Sequence, residues 1–353
     1  MNNVHEIKLP QSVYVGEGAV NNISTIIREL TKQSILKIGI VTGENTYSIG
    51  GIIIEKQIRD LGSIYVWKVR ESTIDTANKV LDEVLDKEIN VMLGVGGGKS
   101  IDIAKYAGFK AGVPVISIPL APSHDGIASP FASLKGIDKP YSIKTTTPYA
   151  ILADTEIISR APRRLILSGI GDLLGKFVSV RDWALAHRLK GEYYGEYAAQ
   201  LALLSAKHVL KYHEVIASST PEGVRILIEA LISSGVSMCI AGSSRPASGS
   251  EHLFAHAVEM LSPGRVLHGE AVAIGTVIML YIYGDSLWRK VRNVMRKIGL
   301  PTTARDLGLP GDVLVKALSI AHEIRPERYT ILGERGLSID ASLKVLKETG
   351  ILE

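Results

Sequence analysis

Cysteine is almost missing from this 353-residue chain. Its single thiol, Cys239, rules out any disulfide within the chain. Set in Val236-Ser237-Met238-Cys239-Ile240-Ala241, it reads as buried and inert. Long apolar runs are missing too. No stretch reaches the roughly 18 uninterrupted apolar residues of a membrane-spanning helix; Ala271–Ile282 comes nearest and reads as a buried helix. Runs of Lys or Arg are absent, and the net charge of +4 is spread thinly. That pattern argues against nucleic-acid binding and mildly favours a small anionic ligand. The opening residues, Met1-Asn2-Asn3-Val4-His5-Glu6, lack a basic-then-apolar signal pattern. The expectation is a soluble cytoplasmic protein with no membrane insertion. There is no internal repeat.

With 353 residues, two domains are expected. The first half alternates strand-like and helix-like runs. Strands are expected at Ser12–Val15, Leu36–Thr42, Ile64–Val69, Val91–Val95 and Pro114–Pro119. Helices are expected at Ala19–Leu30, Ile49–Leu61, Thr76–Lys87 and Ser100–Ala111, with Asp75 as N-cap of the third. Such alternation predicts a parallel sheet covered on both sides. Two short strands, Tyr141–Lys144 and Tyr149–Ala153, then flank Thr145-Thr146-Thr147-Pro148. Beyond Asp154 the pattern is helical: Arg163–Leu189, Glu196–Tyr212, Pro221–Ala241, Glu251–Leu261, Gly269–Tyr283, Leu287–Ile298 and Asp312–Glu323. The expected fold class is α/β. A Rossmann-like domain over residues 1–158 precedes an all-helical, metal- and substrate-binding domain over 159–353.

The stretch Gly94-Val95-Gly96-Gly97-Gly98-Lys99-Ser100-Ile101-Asp102 joins a strand to a helix through consecutive glycines. Glycines let another molecule touch the backbone, and the helix N-terminus aims N–H groups at the gap, so a phosphate or pyrophosphate is the expected occupant. The stretch is not G-x-G-x-x-G, and Leu93 stands where a P-loop needs glycine. A second loop, Pro119-Leu120-Ala121-Pro122-Ser123-His124-Asp125-Gly126-Ile127-Ala128-Ser129-Pro130, follows the next strand, where open α/β sheets bind ligands.

Three of the nine histidines fall between His252 and His268. His252 and His256 share a helix face, and His268 opens the next helix. Leu253 replaces the glutamate of H-E-x-x-H, which argues against a zincin peptidase. Upstream, Gly169-Ile170-Gly171-Asp172 sets a carboxylate beside glycines that weaken a helix by about 1 kcal/mol each. Close approach of Asp172 to a ligand and close helix packing both account for them. One carboxylate and two imidazoles suit Zn²⁺ or Fe²⁺ as a Lewis acid.

These four stretches, in this order, resemble the family of metal-dependent polyol dehydrogenases. It holds glycerol dehydrogenase, iron-type alcohol dehydrogenases, dehydroquinate synthase and glycerol-1-phosphate dehydrogenase. The resemblance is strongest to its archaeal glycerol-1-phosphate branch, through Ser123–Pro130 and Ala153–Leu173. It implies zinc on Asp172, His252 and His268, and substrate contacts from Asp125, Asp172 and His256. It further implies that Gly98, Lys99, Ser100, Ile101, Asp102, Leu120, Ala121, Pro122, Ser123 and Ser129 contact NAD or NADP. The implied reaction is reversible reduction of dihydroxyacetone phosphate to sn-glycerol 1-phosphate, the backbone of archaeal membrane phospholipids. A homo-oligomer is implied as well.

Lys144, Arg163, Arg164 and Lys176 are possible partners of the substrate phosphate, but each reads as a solvated surface charge. For the cofactor, Glu44 suits the 2′-hydroxyl of NAD, whereas Asn45 and Thr46 tolerate the phosphate of NADP. The alternatives are a glycerol dehydrogenase acting on unphosphorylated glycerol, a dehydroquinate-synthase-like lyase, and a catalytically silent nucleotide-binding protein.

Overall fold

The computed structural model describes residues 4–31, 36–136 and 140–352. The first three residues of the N-terminal stretch read above lie outside them. Five strands, β1 (Ser12–Gly16), β2 (Leu36–Thr42), β3 (Gly62–Lys68), β4 (Val91–Gly96) and β5 (Val115–Pro119), alternate with helices. The hairpin of β6 (Phe131–Lys135) and β7 (Pro140–Lys144) follows, then β8 (Ala150–Asp154). The main sheet has the order β1-β8-β5-β4-β2-β3, and every pair in it is parallel. The chain goes from β2 outward to β3 and then returns to β4 on the other side of β2. Strand order therefore reverses between β2 and β4, and a crevice opens at their C-terminal ends.

Alternation along the strands splits the core in two. Ile38, Ile40, Leu93 and Val95 face one side of the sheet, with Ile23 and Ile27 of α1 (Ile23–Leu30) and Ile54 and Ile58 of α2 (Ile52–Ile58). Val41 and Met92 face the other, with Val80 and Val84 of α3 (Ile74–Asp86) and Ile103 and Ala107 of α4 (Gly98–Ala111). Every residue of β4 is buried, as a central parallel strand requires.

After β8 the chain is helical. The helices used below are α5 (Arg163–Leu174), α6 (Lys176–Lys190), α7 (Glu196–Ala217), α8 (Pro221–Ala241), α9 (Ser250–Leu261) and α10 (His268–Ile282). Leu-, Ile- and Val-rich faces of these helices build a third core. By length and composition α8, not Ala271–Ile282, comes nearest to a membrane span, but most of it is buried in this core.

Several sequence expectations change. The strands at 141–144 and 149–153 do not pair with each other: the first joins β6, which the sequence reading missed, and the second enters the main sheet. The expected helix 163–189 is two helices meeting at Gly175. Ile339–Glu348 is a helix that was not anticipated.

Thr73, not Asp75, caps α3: its Oγ1 accepts from the Thr76 N–H at 3.1 Å. Asp75 lies inside the first turn, where its charge favours the helix dipole. Thr73→Ala is expected to cost about 1 kcal/mol in a denaturant titration, and Asp75→Ala less.

Candidate active site

The glycine turn is shaped by different demands at each position. Gly96 has φ +144°, a conformation open to glycine. A Cβ on Gly98 would lie 1.8 Å from His124 Nε2, so the loop after β5 packs directly on the start of α4. A Cβ on Gly97 would meet nothing within 4 Å, so open space adjoins the backbone there. Against Gly96, where a Cβ would lie 3.0 Å from it, Thr46 Oγ1 accepts from the Gly43 N–H at 2.7 Å, and Glu44 pairs with Lys68 at 3.0 Å. Of the three residues named for cofactor choice, Glu44 and Thr46 therefore already have protein partners.

The remaining nucleotide candidates divide. Lys99 projects toward the Arg70 carbonyl, 3.4 Å away. Ile101 is buried core, while Leu120, Ala121 and Pro122 are buried beside the turn. The Leu120 N–H donates to the Gly96 carbonyl, tying the two loops together. Ser123 is partly exposed, and its carbonyl accepts from Ser168 Oγ. Asp102 and Ser129 belong to a buried polar knot around Lys105, which is fully buried. Lys105 donates to the Gly126 carbonyl at 2.7 Å and pairs with Asp102 at 3.2 Å. Asp102 Oδ2 accepts from the Ser133 N–H, holding the hairpin against α4.

Asp172 sits where three elements converge. A Cβ on Gly169 would lie 2.0 Å from the Pro122 carbonyl oxygen, and one on Gly171 would lie 2.1 Å from that of Gly269. Close packing thus accounts for both glycines. It carries Asp172 between the loop after β5 and α10. There Asp172 Oδ2 accepts from the Asp125 N–H at 3.0 Å, while Oδ1 lies 3.1 Å from Lys176 Nζ and 3.3 Å from His252 Nε2. Lys176 is fully buried, not a surface charge, and also reaches Asp125 at 2.8 Å and the Ala247 carbonyl at 3.1 Å. Burial opposes the charged form of Asp172, but Lys176 and then His252 hold its carboxyl well below the usual range.

One donor atom each from Asp172, His252 and His268 falls within a 4.8 Å cluster. Behind the imidazoles stand two carboxylates. Glu251 lies 2.7 Å from His252 Nδ1. Glu259 bridges His268 Nδ1 at 2.8 Å and His256 Nδ1 at 3.2 Å. With Nδ1–H directed at a carboxylate, each ring turns Nε2 to the cluster, where it serves as a ligand atom once deprotonated. The donor set and its outer carboxylates therefore fit a divalent ion. Burial works against a charged His268, yet Glu259 outweighs it and raises the pKa to about 9. Burial lowers His256 to about 4, against the pull of Glu259 and with help from His268 and Arg325, so this ring is neutral near pH 7. The start of α9 is fixed from below: Asp182 accepts from the Ser250 N–H and Oγ, each at 2.6 Å. Burial and then Glu251 lift Asp182 to about 6.

Beside this cluster lies a cleft of about 90 Å³, with Asp102, His124, Asp125, Ser129, His252, His256, His268 and Arg325 among its walls. It joins the end of the parallel sheet to the helical half. The other nucleotide candidates stand around the glycine turn. Sequence reasoning missed Glu251, Glu259, Lys105 and Arg325 and misjudged Lys176. The spacing of Glu259, three residues after His256 on one helix face, was a usable signal.

Comparison with known proteins agrees with this picture. The family profile for iron-containing alcohol dehydrogenase matches residues 14–162, and that for the 3-dehydroquinate synthase C-terminal region matches 251–319. A glycerol-1-phosphate dehydrogenase (NAD(P)+) from Staphylothermus marinus is 60% identical over 99% of both chains. The chain belongs to the glycerol-1-phosphate dehydrogenase family. A second relative of that name, from Hyperthermus butylicus, is 51% identical, again over 99% of both chains. The fold is also that of glycerol dehydrogenase from Schizosaccharomyces pombe. That structure has a TM-score of 0.77 and 23% identity, over 99% of this chain and 94% of the other.

Glu259→Gln would place an amide N–H₂ against one of two Nδ1–H donors. Metal affinity, measured by competition with a chelator, is expected to fall about 10- to 100-fold. Gly171→Ala would drive a methyl into the Gly269 carbonyl and is expected to cost about 1–3 kcal/mol in unfolding free energy.

Proposed function

We propose that this family member reduces dihydroxyacetone phosphate reversibly to sn-glycerol 1-phosphate with NADH or NADPH, a step in making membrane phospholipid. The observation that carries the reading is the Asp172, His252 and His268 cluster facing the glycine turn's crevice, in a chain 60% identical to a relative of that name. Zinc is the proposed ion, since two imidazoles and one carboxylate with a position left open are a zinc-type donor set. A bound ion supplies Lewis acidity and the nicotinamide supplies hydride.

The protein's own residues do the rest. The open backbone at Gly97 and the N-terminus of α4 receive the dinucleotide's pyrophosphate. Asp125 is held by Ser234 Oγ at 2.7 Å and by Lys176, and its backbone N–H fixes Asp172, so the substrate pocket and the metal triad share one frame. His256 is neutral, with Nδ1 directed at Glu259, which leaves Nε2 to take the proton of the substrate hydroxyl in the oxidative direction. In the reductive direction Nε2 passes on a proton that it must first take from solvent. A division near residue 158 into a dinucleotide half and a metal half is part of this reading.

The test is an assay with dihydroxyacetone phosphate and each cofactor, before and after chelation, with the product's stereochemistry determined. Chelation is expected to abolish turnover and metal to restore it. His252→Ala and His268→Ala are expected to lose both metal and activity. Full activity in metal-free His268→Ala protein would overturn the mechanism. Reduction of dihydroxyacetone alone would favour the unphosphorylated substrate.

A further inference from the structure

Three guanidinium groups stand near one another; Arg325 lines the cleft, and Arg245 has a carboxylate partner. Arg245 forks onto Glu192, with Nε 2.6 Å from Oε1 and Nη2 bonded to Oε2, and gives Nη1 to the Tyr329 carbonyl at 2.8 Å. Arg328 donates to the Ser248 carbonyl and, at 2.7 Å, to Ser244 Oγ. These bonds staple the 244–248 segment to the 325–329 loop. Burial, then the charges of Arg325 and Arg245, lower Arg328 to about 9.

Arg325 is different. It lines the cleft together with Ser244, Ser248 and His256, and among the described residues no hydrogen bond or ion pair engages its guanidinium. Glu327 is the one carboxylate whose charge opposes its desolvation. Like charges brought together out of water are costly unless a counter-charge joins them. An unengaged guanidinium presents a planar fork of donors that matches two phosphate oxygens. The cations weighed from sequence are engaged elsewhere. Arg163 donates to the Ala217 and Ile298 carbonyls, Arg164 pairs with Glu270, and Lys176 is enclosed by Asp125 and Asp172. Lys144 is 3.4 Å from the Gly242 carbonyl.

We propose that Arg325, flanked by the hydroxyls of Ser244 and Ser248, is the receptor for the substrate's phosphate group and sets the preference for a phosphorylated ketone. This rests on the function proposed above. The cleft then has two unlike ends: the carboxylate–imidazole cluster for the carbonyl and a cationic end for the phosphate. A three-carbon phosphoketone carries its two polar groups in that arrangement.

Inorganic phosphate, titrated by calorimetry into metal-loaded protein with NAD+ bound, is the direct probe. It is expected to bind wild type, and to bind Arg325→Gln about 10- to 100-fold more weakly. Equal affinity in the two proteins overturns the inference whatever the turnover. Kinetically, the ratio of kcat/KM for dihydroxyacetone phosphate to that for dihydroxyacetone is expected to fall by a similar factor in the variant, mainly through KM. Arg325→Lys, which keeps the charge and loses the fork, should recover part of it and serves if the Gln variant does not fold. An unchanged ratio counts against Arg325. A wild type that reduces neither ketone overturns the proposed function instead, and the phosphate titration still judges Arg325.

Discussion

The ammonium of Lys176 has no exposed surface, and burying it uncompensated would cost several kcal/mol. Its compensation comes from three places at once: Asp125 on the loop after β5, Asp172 one turn back along the helical path, and the carbonyl of Ala247. Removing any one leaves an ammonium N–H without its acceptor in a dry interior. The sheet half, the first helix pair and the segment before α9 are therefore fixed to each other through one nitrogen. With one cation and two carboxylates the group keeps a net negative charge. That charge faces the imidazoles of His252 and His268 and favours a cation between them.

Glycine makes this convergence sterically feasible. Helix α5 touches the loop after β5 through Gly169 and α10 through Gly171, and α10 returns the contact through Gly269, whose Cβ would lie 1.7 Å from the Ser168 carbonyl oxygen. Backbone meets backbone on both flanks of Asp172. The helical propensity lost at those positions is small beside the overpacking that a methyl would bring. Gly98 plays the same part at the other wall, where His124 takes the space of a side chain.

How much of this could be read beforehand follows from the range of the signals. Alternating strands and helices, the glycine turn and the clustered histidines are local patterns, and the α/β fold with its helical second half was legible from them. Strand pairing was not: the partner of Tyr141–Lys144 is fixed by β6, whose FASLK sequence alternates only weakly. Charged residues were misjudged for the same reason. Lys105 and Lys176 look like surface lysines until the chain folds and brings carbonyls and carboxylates around them. Glu251 and Glu259 act through the histidines they orient, so their role is visible only once Nδ1 is seen to point at them.

Site chemistry and substrate choice are carried by different stretches of chain. His252, His256 and His268 fall inside residues 251–319, the region shared with the 3-dehydroquinate synthase profile. Arg325 and Arg328 lie beyond it, on a loop stapled to Ser244 and Ser248. Carbonyl activation needs the same imidazoles and carboxylate whatever else the substrate carries. A phosphate is recognised by fixed donors at a set distance from that centre, which loops supply without disturbing the helices. The free fork of Arg325 is the feature on that loop that distinguishes a phosphorylated ketone from its parent.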